Sequence, residues 1–190
     1  DAFCVHDRPI HTRTDDSVVR AVAPEASTAP LLIRRSRGYV PGSLALPLPA
    51  EPPVLACGAE LKNTFCLAAG GEAWLGPHVG DLDNLEATRA FEEQVERLQR
   101  FLGIRPEVIA HDLHPDYAST RYALARPENV KVGVQHHHAH VMSAVGEQGL
   151  EGPVLGLAWD GTGYGPDGTA WGGVLLLVHE GAFERLATLR

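Results

Sequence analysis

The chain has 190 residues, 44% hydrophobic and 21% charged, with a formal net charge of -8. That suffices for one large domain, or one domain plus part of another, around a real core. The acidic balance argues against a nucleic-acid surface, which needs clustered Lys and Arg against phosphates, while a few arginines still suffice for small anions.

In chain order, residues 1–22 read as extended segments loaded with polar groups, "VHDRPIHTRTDDSVVRAV". Cys4 falls here; with Cys57 and Cys66 it shows neither CxxC spacing nor a dense framework, so all three read as reduced thiols of a cytoplasmic protein. Leu31–Ile33 is strand-like and is followed by a basic cluster at Arg34, Arg35 and Arg37. Residues 42–53, "GSLALPLPAEPP", carry prolines at a density that stops helix and sheet pairing, and read as a linker.

From Val54 the pattern changes to a strand, a tight turn and a second strand, through "VLACGAELKNTFCLAAGGEAWLG". Asn84–Gly103 spaces Leu85, Thr88, Phe91, Val95, Leu98 and Leu102 near 3.6 residues, which predicts a helix ended by Gly103 and Pro106. "PEVIAHDLHPDY" reads as a short buried strand running out into polar residues, "YASTRYALAR" as a helix and "VKVGVQ" as the next strand. A helix from about His137 to Gly149 and a hairpin over "PVLGLAWDGTGYGPDGTAWGGVLLLV" follow. Alternating strands and helices place the chain in the α/β class. The longest apolar runs, such as Val174–Val178, are too short to span a bilayer, and no basic-apolar signal segment opens the chain. A first residue Asp1 and a last residue Arg190 just after a strand and turn suggest a piece of a longer polypeptide.

Four of the ten histidines lie within "QHHHAH", Gln135–His140. His136 and His140 are spaced i, i+4, so on a helix their imidazoles share one face and can ligate one divalent ion; the plainer reading is a polar helix start. Asp160 ends an apolar strand and is a candidate third ligand, completing a nitrogen-oxygen set suited to zinc or iron; the plainer reading is a turn carboxylate capping its own backbone. The turns at Gly58 and Gly161–Gly165 each follow a strand and read either as hairpin turns or as backbone cradles for phosphate. Arg8, Arg13, Arg20, Arg34 and Arg37, with Ser17 among them, suit phosphate or carboxylate groups, or are solvated arginines on strand edges.

Together, "VQHHHAH" and "WDGTGYGPDGTAWGG" resemble the Kae1-like domain of the HypF carbamoyltransferases that mature nickel-iron hydrogenases, and "CGAELKNTFCLA" and "IAHDLHPDY" fit the start of that domain. "HDRPIHTRTDDSVVR" and "IRRSRGYVP" resemble the end of the preceding YrdC-like α/β domain. The resemblance implies a YrdC-like segment at 1–41, a linker at 42–53, and the first lobe of an actin-like, sugar-kinase-like ATPase fold at 54–190. It further implies that the YrdC-like domain makes a carbamoyl-adenylate from carbamoyl phosphate and ATP with Mg, and that the Kae1-like domain passes the carbamoyl group to the C-terminal cysteine of a HypE-like acceptor, for the cyanide ligands of the hydrogenase. His136, His140 and Asp160 would be ligands of zinc or iron, with a further aspartate outside this sequence. Arg13, Ser17, Arg20, Arg34 and Arg37 would face nucleotide or carbamoyl phosphate, and no catalytic residue is assigned. Two alternatives stand beside this: an O-carbamoyltransferase acting on a small-molecule hydroxyl, against which the order of the two domains speaks, and a non-catalytic metal-binding or scaffolding module. A lone first lobe is expected to be incomplete for catalysis and to self-associate through the surface meant for its partner lobe.

Overall fold

The computed structural model describes residues 2–21 and 30–188. The extended reading of Asp1 and Val22 lies outside them. A two-stranded antiparallel ribbon, β1 (Val18–Arg20) with β2 (Leu31–Arg34), opens the fold.

The first large sheet has the order β4-β3-β5-β6, from β3 (Leu44–Cys57), β4 (Phe65–Leu75), β5 (Val108–Asp112) and β6 (Val130–Val134). β3, β5 and β6 are parallel and β4 is antiparallel to β3. Two helices serve this sheet, α1 (Leu85–Leu102) and α2 (Ala118–Ala125). Asn84 caps α1 by accepting the Ala87 amide at 2.8 Å, and Gly103 ends it in the left-handed conformation at φ 68°. Between these caps Phe91, Val95 and Leu98 fall on one buried face. Phe91 is fully buried, edge-on to Phe65 and Tyr122 with ring centroids 5.9 and 5.0 Å away, over Leu55, Leu67 and Ile109 from the sheet.

The proline-rich stretch corrects the expectation that residues 42–53 stop sheet pairing, since residues 44–53 are the first part of strand β3. The pairing of β3 with β4 shifts register between Ala45 and Ala50 and again between Ala50 and Val54, which are the intervals that hold Pro47, Pro49, Pro52 and Pro53. Only β4 flanks this part, because β5 joins at Val54. A proline is tolerated where no ladder bond is required of its nitrogen, at bulges and edges. The expected tight turn after Cys57 is a seven-residue loop, 58–64, and Gly70–Gly71 lies inside β4.

The second sheet, order β11-β10-β7, is antiparallel: β7 (Val154–Ala158), β10 (Val174–His179) and β11 (Ala182–Thr188). The expected hairpin is therefore present as β7 and β10, with a smaller one, β8 (Gly163–Tyr164) and β9 (Ala170–Trp171), nested in its connection. Helix α3 (His136–Gln148) packs Val141 against Ala158, Val174 and Leu176. No helix among the described residues is long and apolar enough to cross a membrane.

Candidate metal centre

Parallel strands β3, β5 and β6 end along one edge of the first sheet, at Cys57, Asp112 and Val134, and in open α/β sheets ligands bind beyond such carboxyl ends. Only Gln135 separates β6 from α3. Its side-chain oxygen accepts the His138 amide at 2.9 Å, which caps the helix and fixes the rotation that His136 and His140 share.

Asp160 reaches this face from the end of β7. Its Oδ1 accepts the Gly161 amide at 2.7 Å, so it is a turn carboxylate, and its Oδ2 lies 2.7 Å from His136 Nε2 and 3.6 Å from His140 Nε2. The turn contact thus uses one oxygen of Asp160 and leaves the other facing the two histidines. One ligand atom from each of His136, His140 and Asp160 falls within 4.8 Å of the others, a convergence of two imidazole nitrogens and a carboxylate oxygen whose donor types suit zinc or iron(II). Gly163 permits the closeness of strand end and helix start: a Cβ there would lie 2.6 Å from His137 Cε1 and 2.9 Å from His136 Cβ.

Sequence reasoning missed Asp112. Its carboxylate is almost fully buried at the end of β5, with Oδ2 2.7 Å from His136 Nδ1 and Oδ1 accepting the His114 amide at 2.8 Å. Burial alone would raise the Asp112 carboxyl, but the hydrogen bonds from His136 and the His114 amide outweigh it and hold it below the usual range. The Asp112 bond in turn pushes the His136 imidazole up against the opposing effect of burial, with Asp160 helping. The available signal was an aspartate closing a buried strand in "VIAHD".

His137 and His138 turn away from this face. His137 is fully buried, with Nδ1 3.0 Å from Gln135 Nε2 and its ring stacked toward Trp171, and His138 lies against Phe183 at 4.8 Å between centroids. Burial pushes both imidazoles down, toward the neutral form. Beside the cluster, His114 stacks flat on Tyr117 at 4.2 Å and meets Tyr164 edge-on. The Gly58 and Gly165 amides donate to the Thr64 and Thr169 carbonyls, closing turns.

The polar residues of the N-terminal segment form a separate group. Ser17 Oγ donates to the Arg37 carbonyl at 2.8 Å and accepts the Ser36 amide at 2.9 Å. Arg37 pairs with Asp16 at 3.5 Å and Arg34 with Asp15 at 4.0 Å, so part of the expected cationic surface is neutralised locally. Arg20 is exposed on β1, and the Arg13 carbonyl accepts from Gln94 of α1 at 2.7 Å.

Comparison with known families and structures supplies the wider frame. Residues 49–147 match the family described as "HypF Kae1-like domain", and residues 156–190 match "Carbamoyltransferase, Kae1-like Domain, second subdomain". Over the whole chain it is 52% identical to "Carbamoyltransferase HypF2" of Cupriavidus necator and 44% identical to "Carbamoyltransferase HypF" of Synechocystis sp., covering 24% of each relative. The chain thus spans about a quarter of the length of the curated relatives it matches. Its fold matches a crystal structure of full-length HypF in a phosphate- and nucleotide-bound form, TM-score 0.87 at 43% identity, over 97% of this chain and 24% of that one. It also matches HypF of T. kodakarensis, TM-score 0.83 at 36% identity, with the same coverage.

Proposed function

The chain belongs to the HypF carbamoyltransferase family, as part of its Kae1-like domain, and from that premise we propose that it forms one wall of the site where a carbamoyl group is transferred. The observation that carries the reading is the convergence of His136, His140 and Asp160 on one point at the edge of the first sheet. These three would hold zinc or iron, and an aspartate from beyond this sequence would complete the set. When bound, such an ion supplies positive charge that polarises a carbonyl or orients nucleotide phosphates.

In this reading residues 1–41 are the end of a YrdC-like domain, 42–53 the passage between domains, and 54–190 the Kae1-like part. The first domain makes carbamoyl-adenylate from carbamoyl phosphate and MgATP, with Arg13, Ser17, Arg20, Arg34 and Arg37 on its anion-facing surface. The second passes the carbamoyl group to the C-terminal cysteine thiol of a HypE-like acceptor: the carbonyl–O bond to AMP breaks, a carbonyl–S bond forms, and AMP and the thiol proton leave. His136 and His140 on a capped helix and Asp160 on a closed turn hold the receiving geometry. Water must be kept out, since a released carbamoyl-adenylate would hydrolyse.

The test uses the full-length protein with carbamoyl phosphate, MgATP and an acceptor ending in cysteine, reading bound metal by elemental analysis and carbamoyl transfer by mass spectrometry. His136→Ala, His140→Ala and Asp160→Ala are expected to lose metal and transfer together while carbamoyl-adenylate formation persists. Retained metal and transfer in all three variants would overturn the assignment. Transfer to a small-molecule hydroxyl but to no cysteine acceptor would favour O-carbamoylation instead.

A further inference from the structure

We infer that Asp112 is a positioning residue for the metal centre: by accepting the Nδ1 proton of His136 it turns the Nε2 lone pair of that ring toward the ion. The inference rests on the reading of His136, His140 and Asp160 as metal ligands and adds a residue outside that set.

The placement follows from strand register. Asp112 is the last residue of β5 and stands opposite Val134, the last residue of β6, in the parallel pair, so one intervening residue brings His136 above it. Its carboxylate is fixed independently of the histidine. Oδ1 accepts the His114 amide at 2.8 Å, and its backbone carbonyl accepts Thr120 Oγ1 from α2 at 3.2 Å. Only 8% of the residue is exposed, so water competes little for Oδ2, which lies 2.7 Å from His136 Nδ1.

The chemistry excludes a direct ligand role. The two imidazole nitrogens project from opposite sides of the ring, so a carboxylate bonded at Nδ1 is turned away from an ion at Nε2. A neutral imidazole carries one N–H, and carboxylate oxygens stand at both ring nitrogens of His136, Asp112 Oδ2 at Nδ1 and Asp160 Oδ2 at Nε2, each at 2.7 Å; with an ion held between Nε2 and Asp160, the proton rests on Nδ1 against Asp112 and the Nε2 lone pair faces the ion. A carboxylate so placed orients the ring and raises its basicity as a ligand, and losing such a partner typically costs about 10- to 100-fold in metal affinity. His140 has no equivalent carboxylate at its second nitrogen among the described residues, and its side chain is 58% exposed, so the constraint acts through His136.

The experiment measures zinc affinity of the full-length protein by competition with a chelator, for wild type, Asp112→Ala and Asp112→Asn, and reads imidazole nitrogen shifts of the zinc-loaded proteins by NMR. Asp112→Ala is expected to weaken zinc about 10- to 100-fold and to abolish the protected Nδ1–H signal of His136. Asp112→Asn keeps an oxygen acceptor and is expected to recover part of the affinity together with that signal, a rescue that a purely structural role would not link to the tautomer. Wild-type zinc binding with unchanged affinity in Asp112→Ala overturns this inference alone. Loss of affinity in Asp112→Ala with the Nδ1–H signal retained also overturns it. A wild type that takes up neither zinc nor iron(II) overturns the metal reading, and this inference falls with it.

Discussion

The sheet of β3 to β6 and the sheet of β7, β10 and β11 solve the burial problem to different degrees. In the first, α1 and α2 close over Leu55, Phe65, Leu67 and Ile109, with Phe91 of α1 set among them, all essentially inaccessible. In the second, α3 covers one face, over Val174, Leu176 and Val178, while Leu155, Leu157 and Trp159 of β7 and its end stay exposed. A groove of about 420 Å³ runs along β7 from Asp160 to Leu150. One unit therefore carries its own core and the other carries half of one. The geometry of the His136, His140 and Asp160 cluster depends on both, since α3 and Asp160 belong with the second sheet and Asp112, bonded to His136, with the first.

The largest loss is expected from hollowing the first core. Phe91→Ala is expected to cost about 3–5 kcal/mol in urea unfolding, the range for deleting a buried aromatic ring. A smaller loss on the first unit comes from its helix cap: Asn84→Ala is expected to cost about 1 kcal/mol, read as a lower urea midpoint with unchanged slope.

A pH series tests a polar lock on the same unit. Burial tends to raise the Glu128 carboxyl, but its hydrogen bonds with Arg126 outweigh this and hold it below its ordinary value. A depressed carboxylate adds stability that is present above the unfolded value near 4.5 and is lost as pH falls through the folded one. The wild-type urea midpoint is therefore expected to fall below pH about 4.5 more steeply than that of Glu128→Gln, with the difference vanishing at the acid end. Parallel curves for the two proteins would sink this account. The smallest effect belongs to the uncovered face: Leu157→Lys is expected to change stability by no more than about 0.5 kcal/mol while lowering self-association in sedimentation. A large loss of stability would mean that the face is already covered.

Legibility in the sequence tracks how local each constraint is. Helix α1 was readable from Asn84 to Gly103 because period and both caps lie within one segment. The spacing of His136 and His140 is likewise local, and Asp160 stands out in the sequence because it punctuates a strand end. Asp112 was not, since its meaning comes from the pairing of β5 with β6, which brings residues 24 positions apart into contact. The proline-rich part of β3 was misread because the rule against proline applies only to nitrogens that owe a ladder bond, and the register shifts that excuse them come from β4. The arginines were visible as charges, but their pairing with Asp15 and Asp16 depends on the fold of the ribbon.

His136 has Asp112 of the first sheet on one nitrogen and Asp160, at the end of the second, on the other. One small ring thus works as a rivet through the seam between two units of unequal self-sufficiency. By thermodynamic linkage, whatever binds at Nε2 only when the seam is closed also resists its opening, so an ion there would act as a fastener for the less complete sheet as well as a chemical centre.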